Sequence, residues 1–283
     1  SNDNDAFASD EDNVTLTFTT SEEGKNPSVT FQGGGGTGST FPGTIGGGPL
    51  TWTASIDITT GIDEGELDFA ISVSDSSDND ILTPQTALTS GSTITIDYSP
   101  PTVGTLTFAR SDGSGSDYVK EGESVKVTLV SDEDLMTTDG VTGTIQSISE
   151  TANRQSAREW HLVAEMGAHA EGAIEFSLTM TDLAGNVVTP VTNSDLTTDR
   201  TITYDKTPPE IASNGGAITI VSDNDMTTLA KDEDEVTVTF TTDSDLLENP
   251  EISIAGINGT IVDITNRTHE YKVAMDEDIH NDG

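Results

Sequence analysis

The chain has 283 residues and carries 50 Asp and Glu against 11 Lys and Arg, for a net charge of −39. A field of that sign excludes a nucleic-acid backbone or an anionic membrane surface as main partner and leaves cations, basic surfaces and salt water. The length suffices for two or three domains with separate cores, no cysteine reports on a redox compartment, and no apolar run is long enough to span a bilayer.

The first element in chain order is the alternating strand Val14-Thr15-Leu16-Thr17-Phe18. Its pattern returns as Val125-Lys126-Val127-Thr128-Leu129 and Val236-Thr237-Val238-Thr239-Phe240, 111 residues apart each time (125 − 14 and 236 − 125). A fixed period near the size of a small β-sandwich marks an array of like modules. Next come the glycine runs Gly33 to Gly36 and Gly46 to Gly48, which bracket Phe41-Pro42-Gly43. No Gly-Lys-Ser/Thr follows them, so the stretch reads as a flexible, contact-making insertion rather than a phosphate loop. Trp52, Trp160 and Tyr271 open apolar-polar runs at corresponding places and read as one core plug per copy.

Glu64-Gly65 then precedes Leu67, Phe69, Ile71 and Val73 at period two, and Glu171-Gly172 precedes Ile174, Phe176, Leu178 and Met180 in the same rhythm. These are half-buried strands. Acidic turns follow at Asp75 to Asp80 and Asp182 to Asn186, and the last strands end in Asp97-Tyr98-Ser99-Pro100-Pro101 and Asp205-Lys206-Thr207-Pro208-Pro209. A proline pair has no ladder donor and stiffens the passage to the next module, so the pairs read as boundaries. The expected architecture is all-β, with helices rare: tandem immunoglobulin-like antiparallel sandwiches joined by short Pro-containing linkers. Residues 1–100 form a module lacking its first strand, 101–209 a complete one, and 210–283 one truncated before its last two strands.

No catalytic signature emerges. The four histidines are not spaced as a zinc site, and no Gly-x-Ser-x-Gly elbow stands on a strand-to-helix turn. Sequons occur at Asn13, Asn258 and Asn266. The acidic residues carry more information, because in an immunoglobulin-like sandwich the first interstrand loop, the loop before the sixth strand and the end of the last strand gather at one pole. That pole collects Asp3, Asp5, Glu64 and Asp97 in copy one, Asp112, Asp117, Glu171 and Asp205 in copy two, and Asp223, Asp225 and Asp282 in copy three. Grouped carboxylates repel unless a hard cation neutralises them, which makes Ca2+ at the module junctions the expected ligand. The Asp182 turn lies at the opposite pole, where it could complete a site from the neighbouring module. The blocks Ser9-Asp10-Glu11-Asp12, Asp132-Glu133-Asp134 and Asp232 to Glu235 read as solvated faces.

The series of Val-x-Leu/Val-Thr-Phe strands, Asn26-Pro27 and Asn249-Pro250 before alternating strands, Trp, Glu-Gly, Thr181-Asp182-Leu183-Ala184-Gly185-Asn186 and Asp205-Lys206-Thr207-Pro208-Pro209 resembles the bacterial immunoglobulin-like tandem repeats of large extracellular surface proteins. Copy one departs from it with Asp75-Ser76-Ser77-Asp78 at the acidic turn, and copy two with Asp139-Gly140 where Asn-Pro should stand. The resemblance implies a non-catalytic repeat of the adhesin, surface-layer or filament type, often calcium-dependent. Its expected partners are copies of itself or other surface proteins, with an adhesin stalk or tip that binds a glycan or protein as the competing role.

Overall fold

The computed structural model describes residues 4–276 apart from 82, 189, 199, 212–217, 247, 255 and 266, and it divides into two compact units, 1–206 and 207–283. The first unit begins with β1 (Phe7–Ala8), β2 (Asn13–Thr19), β3 (Gly24–Gln32), β4 (Thr40–Pro42), β5 (Thr44–Gly47), β6 (Thr51–Asp57), β7 (Gly65–Glu66), β8 (Asp68–Asp75) and β9 (Thr95–Ile96). It continues with β10 (Val103–Arg110), β11 (Tyr118–Val119), β12 (Ser124–Ser131), β13 (Val141–Ile145), β14 (Ile148–Glu150), β15 (Ala152–Arg154), β16 (Glu159–Glu165), β17 (Gly172–Ala173), β18 (Phe176–Met180), β19 (Val191–Thr192) and β20 (Thr203–Tyr204).

Residues 103–204 make one sheet in the order β10-β12-β16-β15 and another in the order β14-β13-β18-β19, while β11-β20-β17 extends the last strand. First, second, fifth and fourth strands on one side and third, sixth and seventh on the other is the immunoglobulin arrangement. β2-β6-β5, β4-β3-β8 and β1-β9-β7 repeat it in residues 7–96 with one strand fewer, because among the described residues nothing covers the outer edge of β2. Period-two alternation explains the two cores. Leu106, Val127, Leu129, Trp160 and Tyr204 meet in one, and Val29, Phe31, Ala54, Ile58 and Ile96 in the other, each buried. The second unit pairs β21 (Thr219–Ser222), β22 (Glu235–Thr241), β25 (Thr260–Thr265) and β26 (Thr268–Ala274) in the order β21-β22-β26-β25. It adds the short pair of β23 (Ser253–Ile254) and β24 (Ile257–Asn258). The described residues contain no α-helix, only two 3-10 turns, Gly34–Gly36 and Asn193–Asp195.

Two sequence expectations change. The glycine-rich stretch before Trp52 is part of the sandwich, since β4 pairs with β3 and β5 with β6. Two of its glycines allow close approach: a Cβ on Gly43 would come within 2.8 Å of the Phe31 ring and one on Gly48 within 3.0 Å of Trp52. The core plug also shifts in the third copy. Trp52 stands opposite Phe18 and Trp160 opposite Leu129, but the equivalent Phe240 stands opposite His269, with Tyr271 two residues on against Val238. A two-residue shift keeps the inward face, so both side chains are buried, and His269 stacks on Phe240 with centroids 5.1 Å apart.

Candidate functional site

The passage from the first module to the second is clamped. After Pro100-Pro101, the Thr102 N–H donates to Asp132 Oδ1 at 2.9 Å, the Asp132 N–H returns a bond to the Thr102 carbonyl at 3.1 Å, and the Thr102 hydroxyl reaches Asp132 Oδ2. The device recurs after Pro208-Pro209, where Glu210 N–H donates to Asp243 Oδ1 at 2.9 Å and Asp243 N–H to the Glu210 carbonyl at 3.0 Å. Asp132 and Asp243 are one 111-residue period apart (243 − 132). Each acidic loop is also held by an arginine. Arg158 Nε donates to Asp134 at 2.7 Å and its Nη1 to the Asp132 carbonyl at 2.8 Å, and Arg267 makes the same pair of contacts with Asp245 and the Asp243 carbonyl. Asp132 is held below the usual carboxylate range by the Thr102 hydroxyl and N–H. Asp132 and Asp134 are therefore structural, and the reading of 132–134 as a merely solvated face is corrected.

Between them, Glu133 meets Asp97 and Asp182, with one carboxylate oxygen of each inside 4.8 Å of the others. Three segments build this group: the end of the first module's last strand, the loop after β12 and the turn after β18. Asp182 is buried, and its Oδ1 accepts the N–H groups of Ala184 and Asn186, each at 2.9 Å. The Asn186 side chain donates to Asp182 Oδ2 at 2.9 Å and to the Asp97 carbonyl at 3.1 Å, which ties the second module's turn to the first module's last strand. The first module makes the same turn with different residues, because Asp75 accepts from the Ser77 and Asn79 N–H groups and from the Asn79 side chain. The departure in sequence at Asp75-Ser76-Ser77-Asp78 leaves the geometry intact.

Close carboxylates change their acidity. Burial, with added repulsion from Asp182, Asp97 and Asp132, pushes the Glu133 carboxyl up to about 7 against partial relief from Arg158. Asp97 is also raised, first by burial and then by Asp182 and Glu64. Such a group either shares a proton or takes up a hard cation, for which carboxylate oxygens are the fitting donors.

The other expected site residues have separate tasks. Glu64 Oε1 accepts the Tyr98 N–H at 2.8 Å and the Ser99 hydroxyl at 3.0 Å, and Glu171 Oε1 accepts the Lys206 N–H at 2.8 Å, so each glutamate holds the chain leaving a last strand. The Asp205 N–H donates to the Val119 carbonyl at 3.0 Å as Asp97 does to Ala8. Asp112 is gripped by the Arg110 fork, with Nη2 at 2.7 Å, and Asp117 by Arg200 Nε at 2.9 Å. Asp223 accepts the Glu235 N–H at 2.7 Å, Asp225 is exposed, and Asp5 borders a groove beside β2. Asp3 and Asp282 lie outside the described residues. Of the expected set only Asp97, with Glu64 beside it, belongs to the three-carboxylate group, and sequence reasoning did not name Glu133 as a ligand. The available signal was the pole assignment of the Asp182 turn, which faces the preceding module together with the loop after β12.

No protein-family profile matches the chain, and no curated protein does. Among solved structures it is similar to the I-band fragment I67-I69 of titin, at 9% identity and TM-score 0.39 over 98% of this chain and 89% of that one. It is similar to a tetra-tandem repeat in the extending region of a large adhesion protein, at 15% identity and TM-score 0.32 over 96% and 63%. It is also similar to fibronectin(III)-like modules of Clostridium thermocellum CbhA, at 16% identity and TM-score 0.30 over 66% and 85%. Values this low carry no functional argument, and no helix among the described residues is long and apolar enough to cross a membrane. Strand order assigns the architecture by itself: the chain is an all-β tandem of immunoglobulin-like sandwiches.

Proposed function

We propose that this chain is a non-catalytic structural repeat segment of an extracellular or cell-surface coat, sheath or filament, in which acidic immunoglobulin-like modules pack end to end and laterally with copies of themselves or other surface proteins. The observation that carries the reading is the joint. A proline pair, the two-way Thr102–Asp132 clamp and the Asn186 bond to the Asp97 carbonyl restrain successive sandwiches far more than a flexible linker would. Ca2+ held by Asp97, Glu133 and Asp182 completes the proposal, because a divalent ion relieves the repulsion among the three carboxylates and ties their segments together.

Small-angle scattering and calorimetry with excess Ca2+ and with a chelator test it. The proposal expects a narrower distribution of shapes and a higher melting temperature with the ion, with the joint softening before the modules melt. Identical scattering and identical melting in both conditions remove the calcium arm. A freely hinged ensemble in both conditions removes the structural reading as well.

A further inference from the structure

A cleft of about 500 Å³ opens in the second module where the chain leaves β14 at Thr151 and crosses to β15 in the facing sheet. β14 pairs with β13 only from Gly143 to Ile145, so the cleft lies along a stretch of β13 that, among the described residues, has no strand on that side. Alternation buries Val141, Ile145, Phe176, Leu178 and Met180 and sets Thr142, Thr144, Ser177 and Thr179 on the opposite face. Thr144 stands opposite both Ser149 and Ser177, and Thr142 opposite Thr179, so five hydroxyl side chains share the face that borders the cleft. Among the described residues none of these five hydroxyls has a hydrogen-bond partner.

Three further polar groups border the same space. Trp160 is 4% exposed, and its Nε1 has no hydrogen-bond partner. A Cβ on Gly140, which lies between the lining residues Asp139 and Val141, would come within 3.0 Å of the indole Cζ2, so the side of the ring that carries Nε1 is turned toward this lip. Asp139 and Glu150 add carboxylates, and Glu150 Oε1 is 3.7 Å from His169 Nε2, outside hydrogen-bond reach. A buried donor without an acceptor is costly, and here it borders a cleft whose other polar groups are also free to bond.

We infer that this cleft is a binding site for a neutral saccharide. The polar groups select the ligand by what each requires. The indole N–H only donates, so it needs an acceptor, which a bare cation does not offer; the two carboxylates only accept, so they need donors, which an anion in so acidic a chain does not bring. A sugar hydroxyl does both, and the Thr and Ser hydroxyls can answer it in either sense. A peptide adding as a strand finds only a short free edge at Val141 and Thr142. The volume lies within the range of small-ligand sites, and a pyranose ring brings its hydroxyls already fixed in place, which lowers the entropy lost on binding. This activity is separate from the assembly role and needs no contact between modules.

The test is NMR of the full chain titrated with maltose, cellobiose and N,N′-diacetylchitobiose. The chain has two tryptophans, so Trp52 serves as an internal control for Trp160. Saturable shifts of the Trp160 indole N–H and of the amides around Thr142, Thr144 and Ser177 are expected with at least one of the three sugars, with the Trp52 indole unmoved. Thr144→Val and Thr179→Val keep the branched shape and remove one hydroxyl each, and each is expected to weaken that binding about tenfold with the melting temperature unchanged. No saturable shift with any of the three, equal shifts at both indoles, or unweakened binding by both variants overturns the inference. Self-association that moves the same resonances without sugar also overturns it, because the occupant is then a second copy.

Discussion

Glu133→Gln isolates the repulsion at the joint. Two unit charges 4.8 Å apart, the outer limit of the oxygen separations in the group, interact by about 3.5 kcal/mol at an effective dielectric of about 20 and by about 1 kcal/mol in a water-like medium. Glu133 is only partly buried, so solvent screening places the net effect near the lower figure, on the order of 1 kcal/mol. Its carboxyl titrates at about 7 in the folded chain against an ordinary 4.5, so the folded state holds that proton more tightly than the unfolded one. The associated stability is fully present below about 4.5 and is lost as pH rises through about 7. In chelator, the second module of the unaltered protein is therefore expected to melt higher at pH 5 than at pH 8. Glu133→Gln, which never ionises, is expected to lose this contribution and to melt roughly 4–8 °C above the unaltered protein at pH 8. Differential scanning calorimetry between pH 5 and pH 8 reads both effects. Parallel profiles for the two proteins, or a variant that melts lower at pH 8, would refute the reasoning.

Three further outcomes follow from the packing. Leu129→Ala, at a site 1% exposed, is expected to destabilise the second module by about 2–5 kcal/mol, whereas Phe18→Ala at the equivalent, half-buried site is expected to destabilise the first by less despite its larger side chain; urea unfolding compares them. Asp132→Ala removes the acceptor of the Thr102 N–H, with an expected loss on the order of 1 kcal/mol and a broader distribution of module orientations by NMR relaxation; an unchanged distribution counts against the clamp. His269→Phe keeps a ring against Phe240 and removes a buried Nδ1 that has no hydrogen-bond partner, so the second unit is expected to melt at the same temperature or higher; a clear drop means the imidazole nitrogens matter.

Much of the fold was legible because a β-sandwich writes itself into period-two alternation, and the 111-residue recurrence tied β2, β12 and β22 together before any coordinates. In the third copy the expected plug Tyr271 is buried, but its cross-strand register differs from that of Trp160 for a physical reason. Strands tolerate a two-residue offset without changing which face is buried, so spacing alone could not separate His269 from Tyr271. The glycine-rich stretch misled because glycine marks both mobility and close approach, and only the Phe31 and Trp52 rings decide which applies. The candidate site was half legible. Asp97 followed from the position of the last strand, but its meeting with Glu133 and Asp182 depends on how two sandwiches abut, which no pattern inside either module records. The sign of each carboxylate's surroundings was equally hidden, since Arg110 and Arg200 sit eight or more residues from several of the groups they serve.

In each of the first two modules the short strand just ahead of the module's long central strand runs parallel to the last strand, through Phe7 and Ala8 against Thr95 and Ile96, and through Tyr118 and Val119 against Thr203 and Tyr204. Tension applied through the chain on either side of such a pair loads its hydrogen bonds in shear, all at once, instead of peeling them one by one like a zipper. Resistance to stretching is then set by an unfolding rate and not by equilibrium stability. Two residues of parallel pairing against the last strand give each of these two modules a mechanical latch that thermal melting does not measure.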